Sequence, residues 1–277
     1  MGAREAPEVG WRMPVGPPAA GRAPSTAPAS PVVHPVRIAD FVDHTLLKAE
    51  ATAPDIDRLC DEAAEHRFAA VCVNGMWVER CARRLAASPV RVATVVGFPL
   101  GAMAPRVKSE ETRIAVADGA EEIDMVAPIG HLVVEEWDAI EDDVGAVVEA
   151  AAGRPVKVIL ETGLLEPMQI VKASAVARVA GAQFVKTSTG FHPSGGATVE
   201  AVALMRLAVG DALGVKASGG VRDCETALRM VAAGASRIGT SSGVKFVECL
   251  GRGPQPLHVL LESPALHAGS CRFGCTP

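Results

Sequence analysis

The feature that most constrains this chain is a repeated order. From Arg37 onward, short runs rich in β-branched residues alternate with longer amphipathic stretches. The runs that can form strands are Val42–Leu46, Ala69–Asn74, Arg91–Phe98, Glu122–Ala127, Val156–Thr162, Phe184–Thr189, Val215–Ser218 and Arg237–Thr240. Several are apolar throughout rather than alternating, as expected for parallel strands buried on both faces. Between them, Thr52 offers an N-cap with Pro54 inside the first helical turn. Ala104–Asp118, Glu135–Ala152, Pro167–Ala180, Thr198–Gly210 and Cys224–Ala233 carry helical spacing. Gly119, Gly153, Gly181 and Gly234 fall just past such stretches, where a C-cap glycine belongs. A β-α repeat predicts a parallel sheet. Eight strand runs predict the closed (β/α)8 TIM barrel. An open doubly wound sheet is the competing architecture, but no Gly-x-Gly-x-x-Gly fingerprint supports a dinucleotide fold.

The barrel domain is expected over residues 37–250, and 277 residues suffice for one such domain of about 250. Residues 1–36 are rich in Pro and Ala and are expected to be a disordered extension, since they cannot bury enough surface to offset ordering. Residues 251–277 read as an irregular tail. The formal charge of −5, without clustered Lys or Arg, gives no footprint for nucleic acid. No apolar run approaches the roughly 18 residues of a membrane helix, and the N-terminus lacks the apolar core of a secretory signal. Most of the seven cysteines sit in patterned apolar segments, which fits reduced thiols in a cytoplasmic protein. Cys271 and Cys275 are close enough in sequence to pair or share a metal, although no matching His/Cys pair lies nearby.

In a TIM barrel the active site is built from the C-terminal ends of the strands. Those ends carry Asp43, Thr45, Cys72, Asn74, Asp124, Lys157, Glu161, Lys186, Lys216, Ser241 and Ser242. An ammonium buried without a partner is costly, so lysines on the fifth, sixth and seventh strands need a reason. One reason is structural: outward alternation, or pairing in a buried ion network. The other is catalytic. Lys186 and Lys216 end adjacent strands, and a like charge plus desolvation pushes a lysine pKa down. The neutral amine that results can attack a carbonyl, and the imine then acts as an electron sink with no metal or organic cofactor. Asp124 is the candidate acid/base for the proton transfers; its competing role is to balance the lysines.

Glycine-rich loops follow the last strands, at Ser218-Gly219-Gly220 and Gly239-Thr240-Ser241-Ser242-Gly243, where this barrel usually binds phosphate. Gly190 and the Ser194-Gly195-Gly196 loop extend the cradle. The seven histidines are scattered, against the ligand set of a metal-dependent aldolase, and no nucleophile elbow or P-loop is present.

From Ile38 to Val247 the chain resembles the deoxyribose-phosphate aldolase family. The segments are Asp43-His44-Thr45-Leu46-Leu47, Val71-Cys72-Val73-Asn74, Val96-Gly97-Phe98-Pro99-Leu100-Gly101, Glu122-Ile123-Asp124-Met125-Val126, Val185-Lys186-Thr187-Ser188-Thr189-Gly190, Val215-Lys216-Ala217-Ser218-Gly219-Gly220-Val221-Arg222 and Arg237-Ile238-Gly239-Thr240-Ser241-Ser242. The resemblance implies cleavage of 2-deoxy-D-ribose 5-phosphate to D-glyceraldehyde 3-phosphate and acetaldehyde, in deoxyribonucleoside breakdown. It implies Lys186 as the Schiff-base lysine, Lys216 as the lysine that perturbs it, and Asp124 as the proton-relay carboxylate. Gly190, Gly219, Gly220, Ser241 and Ser242 match phosphate-facing positions; Asp43, Thr45, Cys72, Lys157 and Thr189 match pocket-lining ones. A homodimer is the family-level expectation.

One departure bears on mechanism. Some family members end in a Tyr proposed to help move the enamine proton, and this chain contains no Tyr. Proton delivery then falls to water held by Asp124, Lys216 or Thr189, or the step is slower. Phe191 stands where some relatives place a phosphate-binding Lys, so phosphate is expected to rest more on backbone donors. Other readings are an aldolase acting on a different sugar phosphate and a catalytically silent phosphate-ligand sensor on the same fold.

Overall fold

A computed structural model of the chain describes residues 35–262. Of the disordered extension expected over residues 1–36, residues 1–34 lie outside the described residues, as does the tail pair Cys271 and Cys275, while Pro35–Val36 is a short strand. Eight parallel strands close into a barrel in sequence order. They are β1 (Val42–Leu46), β2 (Ala70–Val73), β3 (Arg91–Val96), β4 (Glu122–Val126), β5 (Val156–Ile159), β6 (Phe184–Lys186), β7 (Gly214–Ser218) and β8 (Arg237–Thr240). Closure comes from β8 pairing back onto β1, with Ile238 opposite Val42 and Thr240 opposite His44. The (β/α)8 expectation is met.

Helices follow the strands in turn: α1 (Ala53–His66), α2 (Val78–Leu85), α3 (Pro105–Ala117), α4 (Trp137–Ala150), α5 (Pro167–Val179), α6 (Val199–Val209), α7 (Cys224–Ala232) and α8 (Gly243–Leu250). The α1 start is capped as the sequence suggests, and α6 carries a cap of its own. The Thr52 N–H donates to the Asp55 carboxylate at 3.0 Å, and the Thr198 hydroxyl accepts the Ala201 N–H at 3.0 Å. Each such cap contributes about 1 kcal/mol. Gly119, Gly153, Gly181 and Gly234 all adopt positive φ where the chain leaves a helix.

Two apolar clusters show how period-2 alternation divides the strands. Val71, Val73, Val92, Val96, Ile123, Met125, Val158, Val185, Val215 and Ile238 join the large cluster shared with the helices. Ala70, Cys72, Ala93 and Val95 form a separate small cluster with Leu47 and Phe98. The first set therefore faces outward to the helices and the second faces the barrel interior. Gly214 opens β7 because a Cβ there would lie 2.0 Å from the Phe184 ring. That ring lies beneath the cations of Lys157 and Arg237, at 5.9 and 5.7 Å.

Several expectations change. The ladders of β3, β5 and β6 stop before the expected ends, leaving Gly97–Phe98, Leu160–Thr162 and Thr187–Thr189 to begin the loops above the barrel. Helices α2 and α8 and the one-turn helix Ile129–Val133 were not anticipated. The tail is not irregular throughout: Gln255–Pro256 pairs antiparallel with Pro35–Val36, and Leu257–Leu261 is helical. Proline lacks a ladder donor, but a two-residue edge pairing tolerates it. Among the described residues no helix is long and apolar enough to cross a membrane.

Candidate active site

Six strands aim charged side chains at one another across the barrel, contacts that only the interior of a closed sheet allows. Asp124 on β4 is the centre. Its Oδ2 accepts from Lys186 Nζ at 2.8 Å and from Lys216 Nζ at 2.7 Å, and its Oδ1 accepts from Lys157 Nζ at 2.7 Å. Lys216 also donates to Asp43 Oδ2 on β1 at 2.5 Å. Lys157 pairs with Glu122 at 2.7 Å, and Arg237 on β8 joins Asp43 to Glu122. Lys186 and Lys216 are register partners on β6 and β7, which is why both ammonium groups reach the same oxygen. Lys216 fits because β8 carries Gly239, where a Cβ would sit 3.0 Å from the lysine Cε.

All these groups are buried, with Lys186 at 2% exposure and Asp43, Asp124, Lys157 and Lys216 at 0%. The partner count separates the lysines. Burial pushes every one of them toward the neutral form. For Lys216, the attraction of Asp124 and Asp43 exceeds burial and its pKa is raised; Lys157 is likewise raised, mainly by Asp124. For Lys186, burial prevails: Asp124 opposes it, Lys216 adds repulsion, and the pKa falls below the ordinary value. The interior set holds three carboxylates (Asp43, Glu122, Asp124) against four cations (Lys157, Lys186, Lys216, Arg237). Loss of the Lys186 proton would bring that set into charge balance, in the direction its lowered pKa favours.

Asp124 behaves differently from a free acid. Burial alone would raise its pKa, but Lys157, Lys186 and Lys216 together hold it well below the carboxylate range. It is held as an ionised link between the three lysine side chains. Asp43 is drawn down to about 2, burial being outweighed by Lys216, Arg237 and Lys157.

The other expected residues take varied places. The Cys72 thiol lies 4.0 Å from Asp124 Oδ2, its pKa raised by burial. Lys157, expected to line the pocket, is sunk inside the ion network. The Thr45 hydroxyl donates to the Asp43 carbonyl at 2.7 Å, so it braces β1. Gly190, Gly219 and Gly220 have φ of 80°, 85° and 79°, a region that penalises any side chain. The loops after β6 and β7 are laid together there: a Cβ on Gly196 would lie 2.1 Å from the Gly219 carbonyl oxygen. Ser241 is exposed, and the Ser242 N–H donates to Thr240 Oγ1 at 2.9 Å just before α8 begins. Thr189 is buried and donates to Glu161.

Sequence reading missed the roles of Glu122 and Arg237. Glu122 lies two residues before Asp124 and shares its face by alternation, a signal that was available. Arg237 opens a strand, where an exposed position is the ordinary expectation; only closure of β8 on β1 brings it to Asp43. Among the described residues no group of three or more His, Cys, Asp or Glu is arranged to hold a metal ion.

An eight-stranded barrel with a buried amine of lowered pKa, an ionised carboxylate beside it and glycine loops above defines a class: lysine-dependent aldolases. The comparisons agree. Residues 37–247 match the family model described as DeoC/LacD family aldolase, and the chain belongs to that family. It is 52% identical over 218 residues to the deoxyribose-phosphate aldolase of Mannheimia succiniciproducens, covering 79% of this chain and 97% of that one. With the deoxyribose-phosphate aldolase of Brevibacillus brevis it shares 56% over 207 residues, 75% and 93% of the two chains. A tetrameric deoxyribose phosphate aldolase structure from Aeropyrum pernix superposes with a TM-score of 0.71 at 34% identity, over 76% of this chain and 89% of that one.

Proposed function

We propose that this chain cleaves 2-deoxy-D-ribose 5-phosphate to D-glyceraldehyde 3-phosphate and acetaldehyde through a Schiff base on Lys186, and catalyses the reverse condensation. The observation that carries the mechanism is the division of charge at Asp124 Oδ2. Lys216, with two carboxylate partners, keeps its proton, while Lys186, with one, is disposed to lose it. Neutral Lys186 Nζ attacks C1 of the open-chain sugar. The carbinolamine oxygen takes a proton from the Lys216 side and leaves as water, giving the iminium. Loss of the C3 hydroxyl proton then breaks the C2–C3 bond; its electron pair forms the enamine and glyceraldehyde 3-phosphate departs. Protonation of the enamine at C2 and hydrolysis release acetaldehyde.

With no Tyr in the sequence, the enamine proton comes from water ordered at Asp124 or Lys216, the Thr189 hydroxyl being committed to Glu161. The phosphate rests on Gly190, Gly219, Gly220, Ser241 and Ser242; the positive-φ glycines let their backbone N–H groups approach an anion, while the Ser242 N–H is already given to Thr240. The same reading places the enzyme in the cytoplasm, in deoxyribonucleoside breakdown, as a homodimer. Met76, Val107 and Ile114, exposed on neighbouring segments, offer an apolar surface for self-association. Sedimentation of the protein alone tests that assembly.

Incubation with acetaldehyde or deoxyribose 5-phosphate, reduction with borohydride and peptide mapping tests the mechanism. The expected result is a reduced adduct on Lys186 alone; normal turnover with an unmodified Lys186 peptide overturns it. Turnover of deoxyribose 5-phosphate against ribose 5-phosphate tests the substrate assignment.

A further inference from the structure

Glu161 is a buried carboxylate that the chemistry above does not use. It follows β5, is 0% exposed and holds a left-handed backbone (φ 54°, ψ 59°), a conformation that few residues other than Gly, Asn and Asp adopt. Flanking ladder bonds fix it there: Leu160 N–H donates to the Lys186 carbonyl at 3.0 Å and Thr162 N–H to the Thr187 carbonyl at 2.9 Å. Its Oε2 accepts both the Thr189 N–H, at 3.2 Å, and the Thr189 hydroxyl, at 2.5 Å. The Thr189 hydroxyl in turn accepts the Phe191 N–H at 3.1 Å. Thus one carboxylate oxygen fixes Thr189, and Thr189 fixes the turn containing Gly190, immediately beyond the Schiff-base strand.

The turn is also set against the loop that follows β7. A Cβ on Gly190 would come within 3.5 Å of Gly219 Cα, so its position is shared with the second glycine loop. A carboxylate with its other oxygen, Oε1, buried and without a partner is an expensive anchor in the interior. Packing alone does not call for it, since an apolar residue would fill the space without that cost.

We propose that Glu161 is a positioning residue for the reaction: through Thr189 it holds the β6–α6 turn in the conformation that receives the phosphate end of the substrate. The inference rests on the aldolase reading above. It separates two parts of the site: Lys186, Lys216 and Asp124 hold the chemistry, while Glu161 governs binding of the distal end.

The test uses the full-length protein with Glu161→Leu, Glu161→Gln and Thr189→Val, assayed on deoxyribose 5-phosphate and on unphosphorylated 2-deoxyribose. Borohydride trapping with acetaldehyde serves as an independent readout of the amine. Glu161→Leu is expected to raise KM for the phosphorylated sugar by about tenfold or more, leaving kcat/KM for 2-deoxyribose and acetaldehyde trapping within about twofold of wild type. Glu161→Gln keeps a carbonyl oxygen that accepts both Thr189 donors and is expected to recover most of the loss. Combining Glu161→Leu with Thr189→Val is expected to be no worse than the worse single change, because both cut the same link. Equal losses on the two sugars, no rescue by Gln, or additive effects overturn the proposal. Should Glu161→Leu fail to fold, the substrate contrast in Thr189→Val decides: a KM increase several-fold larger on the phosphorylated sugar than on 2-deoxyribose supports the link, and an equal loss on both sinks it. If wild type itself gives no Lys186 adduct, the aldolase reading fails first and is recognised as such.

Discussion

The two sides of the barrel interior are built from opposite materials. On β2 and β3 it is lined by Ala70, Cys72, Ala93 and Val95, small side chains that bury easily and carry no charge. Across from them, β4 to β8 and β1 contribute Glu122, Asp124, Lys157, Lys186, Lys216, Arg237 and Asp43. A TIM-barrel interior is ordinarily packed with layers of branched apolar residues, so the charged side departs from that pattern. Isolated ions there would be prohibitive. These persist because every one is paired, and the pairing is graded. Lys157 meets three carboxylates and Lys216 and Arg237 two each, whereas Lys186 meets one. The comparison teaches that the ion network leaves one amine with a single carboxylate, too little to offset its burial, and the apolar side gives that network a dry wall.

Changes on the charged side break the comparison most sharply. Lys186→Ala should remove the nucleophile and lower kcat/KM by at least about 10³-fold with the fold retained, read by activity together with circular dichroism. Asp124→Asn leaves three lysines without their shared anion. It should lower activity by about 10²–10⁴-fold and stability by about 3–5 kcal/mol, read in assays and denaturant titration. Activity unchanged in Asp124→Asn would refute the linking role. Gly239→Ala acts through space alone: its Cβ meets Lys216 Cε at 3.0 Å and displaces the ammonium from Asp124. A loss of up to about 100-fold is expected. It should come with a higher pH threshold for activity, because Lys216 no longer repels the proton on Lys186.

Much of this asymmetry was legible in the sequence, and the reasons for the gaps are physical. Lysine in Val-Lys-Val or Phe-Val-Lys-Thr stands out against an apolar strand, so Lys157, Lys186 and Lys216 announced themselves. Asp124 did so for the same reason. Arg237 and Glu122 did not, because charges at strand starts usually face solvent and barrel closure is a long-range fact. Helix α8 is not legible beyond Gly243, the end of the expected phosphate loop, because its first residues, Gly243 and Val244, are poor helix formers. Its helicity comes from packing, with Phe246 and Val247 buried against the barrel. Glu161 was visible as a strand-end carboxylate, yet its bond to Thr189 depends on a left-handed turn that no sequence period encodes.

The smallest effects sharpen the comparison through pH. Val95, 4% exposed on the apolar side, lies outside the ion network. Val95→Ala should cost about 1–3 kcal/mol at every pH and leave the pH profile of activity in place. Asp43 behaves otherwise. Its folded pKa is drawn to about 2 from an ordinary 3.8, so ionised Asp43 favours the folded state. That stability is fully present above about pH 4 and is lost as pH falls through about 2, an amount of about 2 kcal/mol. Asp43→Asn should therefore flatten the acid limb of the stability curve, as measured by urea midpoints between about pH 5 and pH 2. It should also lower stability at neutral pH, where Lys216 and Arg237 lose a partner. An acid limb unchanged in Asp43→Asn would place the acid lability outside this network, and the charged side would then differ from the apolar one in catalysis alone.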